Sequence, residues 1–185
     1  MIGNLFVISG PSGVGKDTLM ALIFNRLSKL NRWVTCTTRK PRPNEVDGQN
    51  YFFKTPDEFK LMIDNNELVE FNEFAGNFYG TPKQYAIDML NKGKDIITAI
   101  DVNGAQNVKK AFPQAHLIFI EPPSIDELRA RLLKRGTESA EYIEKRLAIV
   151  SSELSKKDMF DICIVNDSLD AATNSIVDYI NQFSK

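Results

Sequence analysis

Residues 5 to 19, LFVISGPSGVGKDTL, constrain the fold of this chain more than any other stretch. The apolar run Leu5 to Ile8 reads as a short buried strand. The segment from Asp17 to Lys29 carries Leu19, Ile23 and Leu27 at helical spacing. Between them, Gly10 to Lys16 satisfies the pattern of a glycine, four residues, then Gly-Lys. A strand that turns through glycines into a helix is the start of a parallel sheet flanked by helices. The glycines permit positive φ angles that turn N–H groups inward, the helix presents its positive end to the same point, and Lys16 adds a full charge. Gly10, Pro11, Ser12, Gly13, Val14, Gly15, Lys16, Asp17 and Thr18 are therefore candidates to hold the phosphates of a nucleotide. The pattern asks for a hydroxyl after the lysine, and this chain has Asp17. An aspartate there is a favourable partner for the helix dipole. It is also a carboxylate able to bind magnesium, directly or through water.

The rest of the chain repeats the alternation of apolar runs and helical stretches expected of a parallel sheet flanked by helices. Strands are predicted at 96–100, 117–120 and 162–165, and helices at 124–134, 141–154 and 169–183. Two segments break the rhythm. Residues 35 to about 90, including TRKPRPNEVDGQNYFF and VEFNEFAGNFYGTP, are rich in proline, aromatics and strand-like alternation, which predicts a small antiparallel insertion. KRGTESAE, residues 134 to 141, is polar and lies between two helices, as a lid would.

Composition then excludes several classes. A formal charge of −1 over 185 residues gives no basic surplus for nucleic acid. Two cysteines without CxxC spacing and one histidine, His116, point to neither a disulfide framework nor a zinc site. Cys36 and Cys163 are expected as buried small hydrophobes, and His116 as a strand-edge imidazole. No apolar run approaches a membrane span and no signal peptide is present, so the expectation is a cytoplasmic protein without membrane partners.

Arg39 and Arg42 stand three apart in TTRKPRP, on a segment stiffened by Pro41 and Pro43, and such arginines suit a bidentate grip on phosphate. Tyr51 and Tyr79 can add hydroxyl donors. Following the phosphate loop, TTRKPRPNEVDGQNYFF, LVEFNEFAGNFYGTP, IDVNGAQNVKK and KRGTESAEYIEKRL occur in the order and spacing that resemble guanylate kinases, from Leu5 to about Ala171. The resemblance implies an α/β three-layer fold with a central parallel sheet flanked by helices, a small mixed-sheet GMP-binding insertion and a short lid. It divides one domain into a core of residues 1–34 and 92–185, an insertion of residues 35–91 and a lid at about 134–146. It also implies transfer of the terminal phosphate of ATP to GMP, and to dGMP, with Mg2+ as cofactor, these nucleotides as substrates and neither nucleic acid nor membrane as partner.

By the same likeness Glu70 and Asp101 are the carboxylates facing the donors of guanine, and Thr35 and Thr81 the hydroxyls facing its acceptor. Thr35 stands where relatives commonly carry Ser. Arg39, Arg42, Tyr51 and Tyr79 hold the GMP phosphate, and Asp101 with Asp17 offers a place for magnesium. Arg131, Arg135 and Arg146 bracket the lid as the cationic groups of transfer, together with Lys16 and Arg39, and Arg131 and Arg135 also contact ATP. Asn166 matches a position that contacts adenine; its other reading is a strand-end residue capping a turn. The alternatives are a non-catalytic phosphopeptide-binding domain of the same fold and a kinase for another base. A GTPase lacks support because no NKxD motif occurs.

Overall fold

A computed structural model describes residues 2–43, 45–74, 76–134 and 140–184. Nine strands and seven α-helices are described among these residues. The chain divides into two compact units. One comprises Met1–Leu5, Lys29–Thr98 and Gln106–Ala115; the other comprises Phe6–Ser28, Ala99–Ala105 and His116–Lys185.

A five-stranded sheet runs in the order β2 (Asn31–Arg32), β7 (Ile96–Ala99), β1 (Leu5–Ser9), β8 (His116–Glu121), β9 (Ile162–Val165). Its paired strands β2 with β7, β1 with β8, and β8 with β9 are parallel, as the apolar runs predicted. Strands buried on both faces need continuous apolar sequence, and β1 is buried at all five positions. Helix α1 (Lys16–Arg26) follows β1 and buries Leu19, Met20 and Ile23. It ends three residues before the predicted Lys29, because Leu27 leaves helical geometry at φ −115° and ψ 79°. Helix α7 (Leu169–Asn181) is capped by Ser168, whose side chain accepts from the Ala171 N–H, and it buries Ala172, Thr173, Ile176 and Ile180. Arg26 of α1 reaches Asp170 at 3.4 Å and also bonds Asn174, both on α7.

Helices α5 (Ile125–Lys134) and α6 (Ala140–Leu154) share a cluster of Leu128, Leu132, Ile143, Leu147 and Val150. Arg129 of α5 binds Glu144 of α6 through both guanidinium ends. Ser124 starts α5 by accepting from the Glu127 N–H at 3.0 Å, as its place after two prolines suggested. The predicted lid falls largely on residues 135–139, which lie outside the described residues.

A second sheet, in the order β4 (Phe52–Phe53), β3 (Cys36–Thr37), β6 (Asn77–Pro82), β5 (Leu68–Phe74), lies within the Lys29–Thr98 segment of the first unit. The residue-level expectation of an antiparallel insertion is corrected here. Strands β3, β6 and β5 pair antiparallel, but β3 and β4 pair parallel, so the sheet is mixed, as the resemblance implied. The reason lies in the turn at Val46 to Tyr51. It brings Phe52 back beside Cys36 running in the same direction, with the Phe52 N–H bonding the Thr35 carbonyl at 2.8 Å.

Helix α2 (Pro56–Asp64) was absent from the sequence reading, and its start is written in T-P-D-E. The Thr55 side chain accepts from the Glu58 N–H while Glu58 accepts from the Thr55 N–H, a reciprocal cap worth about 1 kcal/mol. Helix α2 delivers Phe59, fully buried, against Cys36 and Leu68, with Phe78 stacked at 5.5 Å. Burying such a ring contributes roughly 1.5 to 3 kcal/mol. Helices α3 (Lys83–Asn91) and α4 (Val102–Ala111) complete the set.

The two cysteines differ. Cys36 is fully buried, but Cys163 is exposed, correcting the expectation for it. Strand β9 ends the sheet order, and alternation along it turns Ile164 inward and Cys163 and Val165 outward. His116 opens β8 and stacks on Phe6 at 5.1 Å, with Phe183 tilted against it at 4.0 Å. Among the described residues no helix is long and apolar enough to cross a membrane.

Candidate functional site

The donor side of the site is made from backbone. Strand β1 ends at Ser9, whose hydroxyl donates to the Ile100 carbonyl at 2.9 Å, and the chain then enters the glycine loop. Gly10 has φ 144°, and a Cβ there would lie 2.3 Å from the Ile120 carbonyl oxygen. Gly15, the residue before α1, has φ 102°. Both positions require glycine, because an L side chain would meet strain in the backbone and a neighbour in space. The Val14 N–H donates to the Pro11 carbonyl at 3.2 Å and closes a turn inside the loop. Lys16 folds its ammonium onto that loop, donating to the Gly10 carbonyl at 2.6 Å and the Pro11 carbonyl at 3.2 Å. Positive charge, inward-turned backbone and a helix N-terminus thus meet within seven residues, the arrangement that binds phosphate. Asp17 is exposed in the first turn of α1, and Ser12 and Thr18 accompany it at the surface of the loop.

Two more candidates join this unit through hydrogen bonds. Asn166, 2% exposed and just beyond β9, donates its side-chain amide to the Val14 carbonyl at 2.8 Å. Arg131 on α5 donates from its Nη2 to the Asn166 carbonyl at 3.1 Å, while Glu127 accepts from its Nε at 3.1 Å. Asp101 follows β7 and caps α4, its Oδ1 accepting from the Gly104 N–H at 2.8 Å. The sequence reading missed α4 and so missed this cap, for which Asp101 three residues before Gly104 was the signal. Arg135 lies outside the described residues. Arg146 belongs to α6, and its side chain is not among those described.

The acceptor side is made from side chains, in the other unit. Glu70, 9% exposed, accepts a hydrogen bond from the hydroxyl of Thr81, which is fully buried. Their meeting depends on a register shift. Leu68 pairs with Pro82 and Phe71 with Gly80, so Val69 and Glu70 together stand opposite Thr81. Such a bulge re-aims a side chain that regular alternation would place elsewhere. Cys36 lies in the same field; its burial pushes the thiol up to about 12, with Glu70 adding to the effect. Thr35 precedes β3, half-buried, its carbonyl held by Phe52.

A second cluster gathers on Arg39. Its Nη2 donates to both oxygens of Glu45, at 2.8 and 3.0 Å, and its Nη1 donates to the Lys40 carbonyl at 2.8 Å. Tyr51 lies under the guanidinium at 5.6 Å, and the Tyr51 and Tyr79 rings stand 6.2 Å apart. Glu45 was not singled out in the sequence. It binds Arg39 and accepts from the Arg42 N–H at 2.7 Å, so one carboxylate holds both ends of the RKPR turn. The Arg39 hydrogen bond holds the Glu45 carboxyl below its ordinary value, and Glu45 raises Arg39 in return, with a smaller contribution from Tyr79. The Arg42 side chain is exposed, and its charge adds a smaller part to the lowering of the Glu45 carboxyl.

A glycine loop between a buried strand and a helix, with a separate sheet bearing a buried carboxylate and an arginine bound to Glu45, defines a phosphate-loop α/β protein of the nucleotide-binding class. The guanylate kinase family model matches residues 2–183. Guanylate kinases of Lactococcus lactis subsp. lactis (strain IL1403) and Desulfitobacterium hafniense (strain Y51) are each 45% identical to this chain. The matches cover 94% of this chain and 85% and 87% of those proteins. The crystal structure of guanylate kinase from Anaplasma phagocytophilum matches with a TM-score of 0.77 at 30% identity, over 99% of this chain and 87% of that one. The chain belongs to the guanylate kinase family.

Proposed function

We infer that this chain is a cytoplasmic phosphotransferase that moves the terminal phosphate of ATP to GMP, and to dGMP, giving GDP or dGDP and ADP. The observation that carries the reading is the buried Glu70 held by Thr81 in a chain whose phosphate loop retains Gly10, Gly15 and Lys16. A carboxylate fixed at one oxygen by a hydroxyl is complementary to the N1 and 2-amino donors of guanine. Adenine presents an acceptor where guanine presents N1–H and would set that acceptor against the Glu70 carboxylate, a mismatch that hydrogen-bonding sites reject by about 10⁴. Thr35 and Asp101 are assigned to the same base.

Arg39, Tyr51, Tyr79 and Arg42 are assigned to the acceptor phosphate. The loop from Gly10 to Thr18 is assigned to the donor phosphates, and Asn166 to the adenine. Transfer spreads negative charge over the moving group, so its rate depends on cations placed around it more than on covalent help. Lys16, Arg39, Arg131, Arg135 and Arg146 are assigned that role, with the lid excluding water. Closure of cationic side chains over such a group is worth roughly 10³ to 10⁵ in rate.

Mg2+ fits the donor chemistry of the phosphate loop. No group of three or more His, Cys, Asp and Glu among the described residues is disposed to hold a metal unaided. Magnesium is ordinarily held by one or two carboxylates and substrate phosphates, and Asp17 and Asp101 are the carboxylates assigned to it. When bound, the ion neutralises charge on the donor phosphates. The test is a panel of GMP, dGMP, AMP, CMP and UMP with ATP and magnesium. GMP and dGMP are expected to yield diphosphate and the others to lag by several orders of magnitude; absence of GDP from folded protein would overturn the reading.

A further inference from the structure

Asn166 is held in place by its own main chain on both sides. Its N–H donates to the Glu121 carbonyl at 2.8 Å, extending the ladder between β8 and β9, and its carbonyl accepts from Arg131. The side chain is therefore presented from a fixed point, with its Nδ2 on the Val14 carbonyl. A Cβ added at Gly15 would lie 2.9 Å from that same nitrogen, so the amide occupies the ground immediately behind the loop. In a trans peptide the C=O and the following N–H point to opposite sides. Holding the Val14 carbonyl toward Asn166 consequently turns the Gly15 N–H away from it. Among the described residues that N–H has no hydrogen-bond partner, which leaves it as a donor for phosphate.

We propose that Asn166 is a positioning residue of the donor site: it fixes the Val14–Gly15 peptide so that Gly15 donates to phosphate, and it ties that peptide to Arg131 through its own backbone. This deepens the assignment of the loop to the donor phosphates and rests on it. The role is separate from any contact with adenine. A base contact affects only ligands that carry a base, whereas the clamp acts on every phosphate ligand of the loop, with or without one. Asn166 is 152 residues from Val14 in sequence. It converts the position of β9 into the conformation of a loop at the other end of the chain.

The test compares unaltered protein with Asn166→Ala and with Asn166→Asp. The latter keeps the shape but places a carboxylate oxygen against the Val14 carbonyl. Two readouts are needed: kcat/KM for ATP, and the inhibition constant of inorganic tripolyphosphate against ATP. The positioning role predicts that Asn166→Ala loses roughly tenfold in both, the scale of one hydrogen bond, and that Asn166→Asp loses more. The KM for GMP should stay within about twofold, which a general structural defect would not allow. If ATP is affected while tripolyphosphate inhibits both variants as it does the unaltered protein, the residue serves adenine alone and the proposal fails. Unchanged values for both ligands also overturn it. Should Asn166→Ala fail to fold, the isosteric Asn166→Asp carries the same comparison. Failure of the unaltered protein to phosphorylate GMP would instead remove the underlying assignment, a separate outcome.

Discussion

The donor and acceptor sides hold chemically similar groups with different materials. On the proposed donor side the atoms assigned to binding are N–H groups of a loop bent through positive φ angles at Gly10, Gly13 and Gly15, with one lysine added. On the proposed acceptor side the assigned groups are side chains, a buried carboxylate and an arginine, each with a partner that fixes it: Thr81 for Glu70 and Glu45 for Arg39. A phosphate is the same on any nucleotide, so a backbone cradle that reads no base suffices for it. A base must be told from other bases, and that needs donors and acceptors of defined direction. The comparison predicts that damage on the donor side reduces transfer whatever the acceptor, while damage on the acceptor side is selective.

Replacing Lys16 by Met breaks the donor side at its only formal positive charge within the loop. Turnover is expected to fall by 10³ or more, the scale for removing a cation from a phosphoryl-transfer site. Calorimetry should show GMP binding unchanged, and near-normal turnover would remove the lysine from the reaction. Glu70→Gln sharpens the other half. The amide keeps the shape and loses the charge, so the KM for GMP is expected to rise by roughly 10 to 100-fold, the range for a charged hydrogen bond. The KM for ATP should hold within about twofold; equal changes in both would take Glu70 out of the base pocket.

The smallest effect concerns the Arg39–Glu45 pair, and it is read through pH. The Glu45 carboxyl titrates lower in the folded chain than its ordinary value of 4.5, because Arg39 binds the ionised form. Its contribution is therefore complete above the ordinary value and fades as the pH falls through the depressed one. Thermal melts of the unaltered protein and Glu45→Gln should differ at neutral pH and converge as the pH is taken below 4.5. A gap that persists or widens in acid would contradict the assignment. A pair with both side chains 16% exposed is only partly shielded, so a small shift is expected.

Much of the donor side was legible in the sequence because its determinants are contiguous. A glycine between a buried strand and a helix reports its own φ, and the apolar runs at 96–100, 117–120 and 162–165 report strands, found at Ile96–Ala99, His116–Glu121 and Ile162–Val165. Helix α2 was equally legible in Thr55 to Glu58 and was missed because the surrounding alternation suggested strands. Other features were beyond any local pattern. Nothing in LVEFNEF announces that Val69 and Glu70 share one partner across the sheet, since a bulge is a property of two strands. The exposure of Cys163 likewise follows from β9 lying at the end of the sheet order, which its residues do not state.

By itself the sequence determined where the chain must turn, which segments must be covered and where charge is available for phosphate. These are consequences of allowed φ angles, side-chain periodicity and residue chemistry, all local. The tertiary structure decided which groups meet: Thr81 on Glu70, Glu45 on Arg39 and Asn166 on Val14. Those contacts are made by strand register, edge position and chain reversal. A hydrogen bond depends on separations of a few tenths of an ångström, which only the assembled backbone fixes.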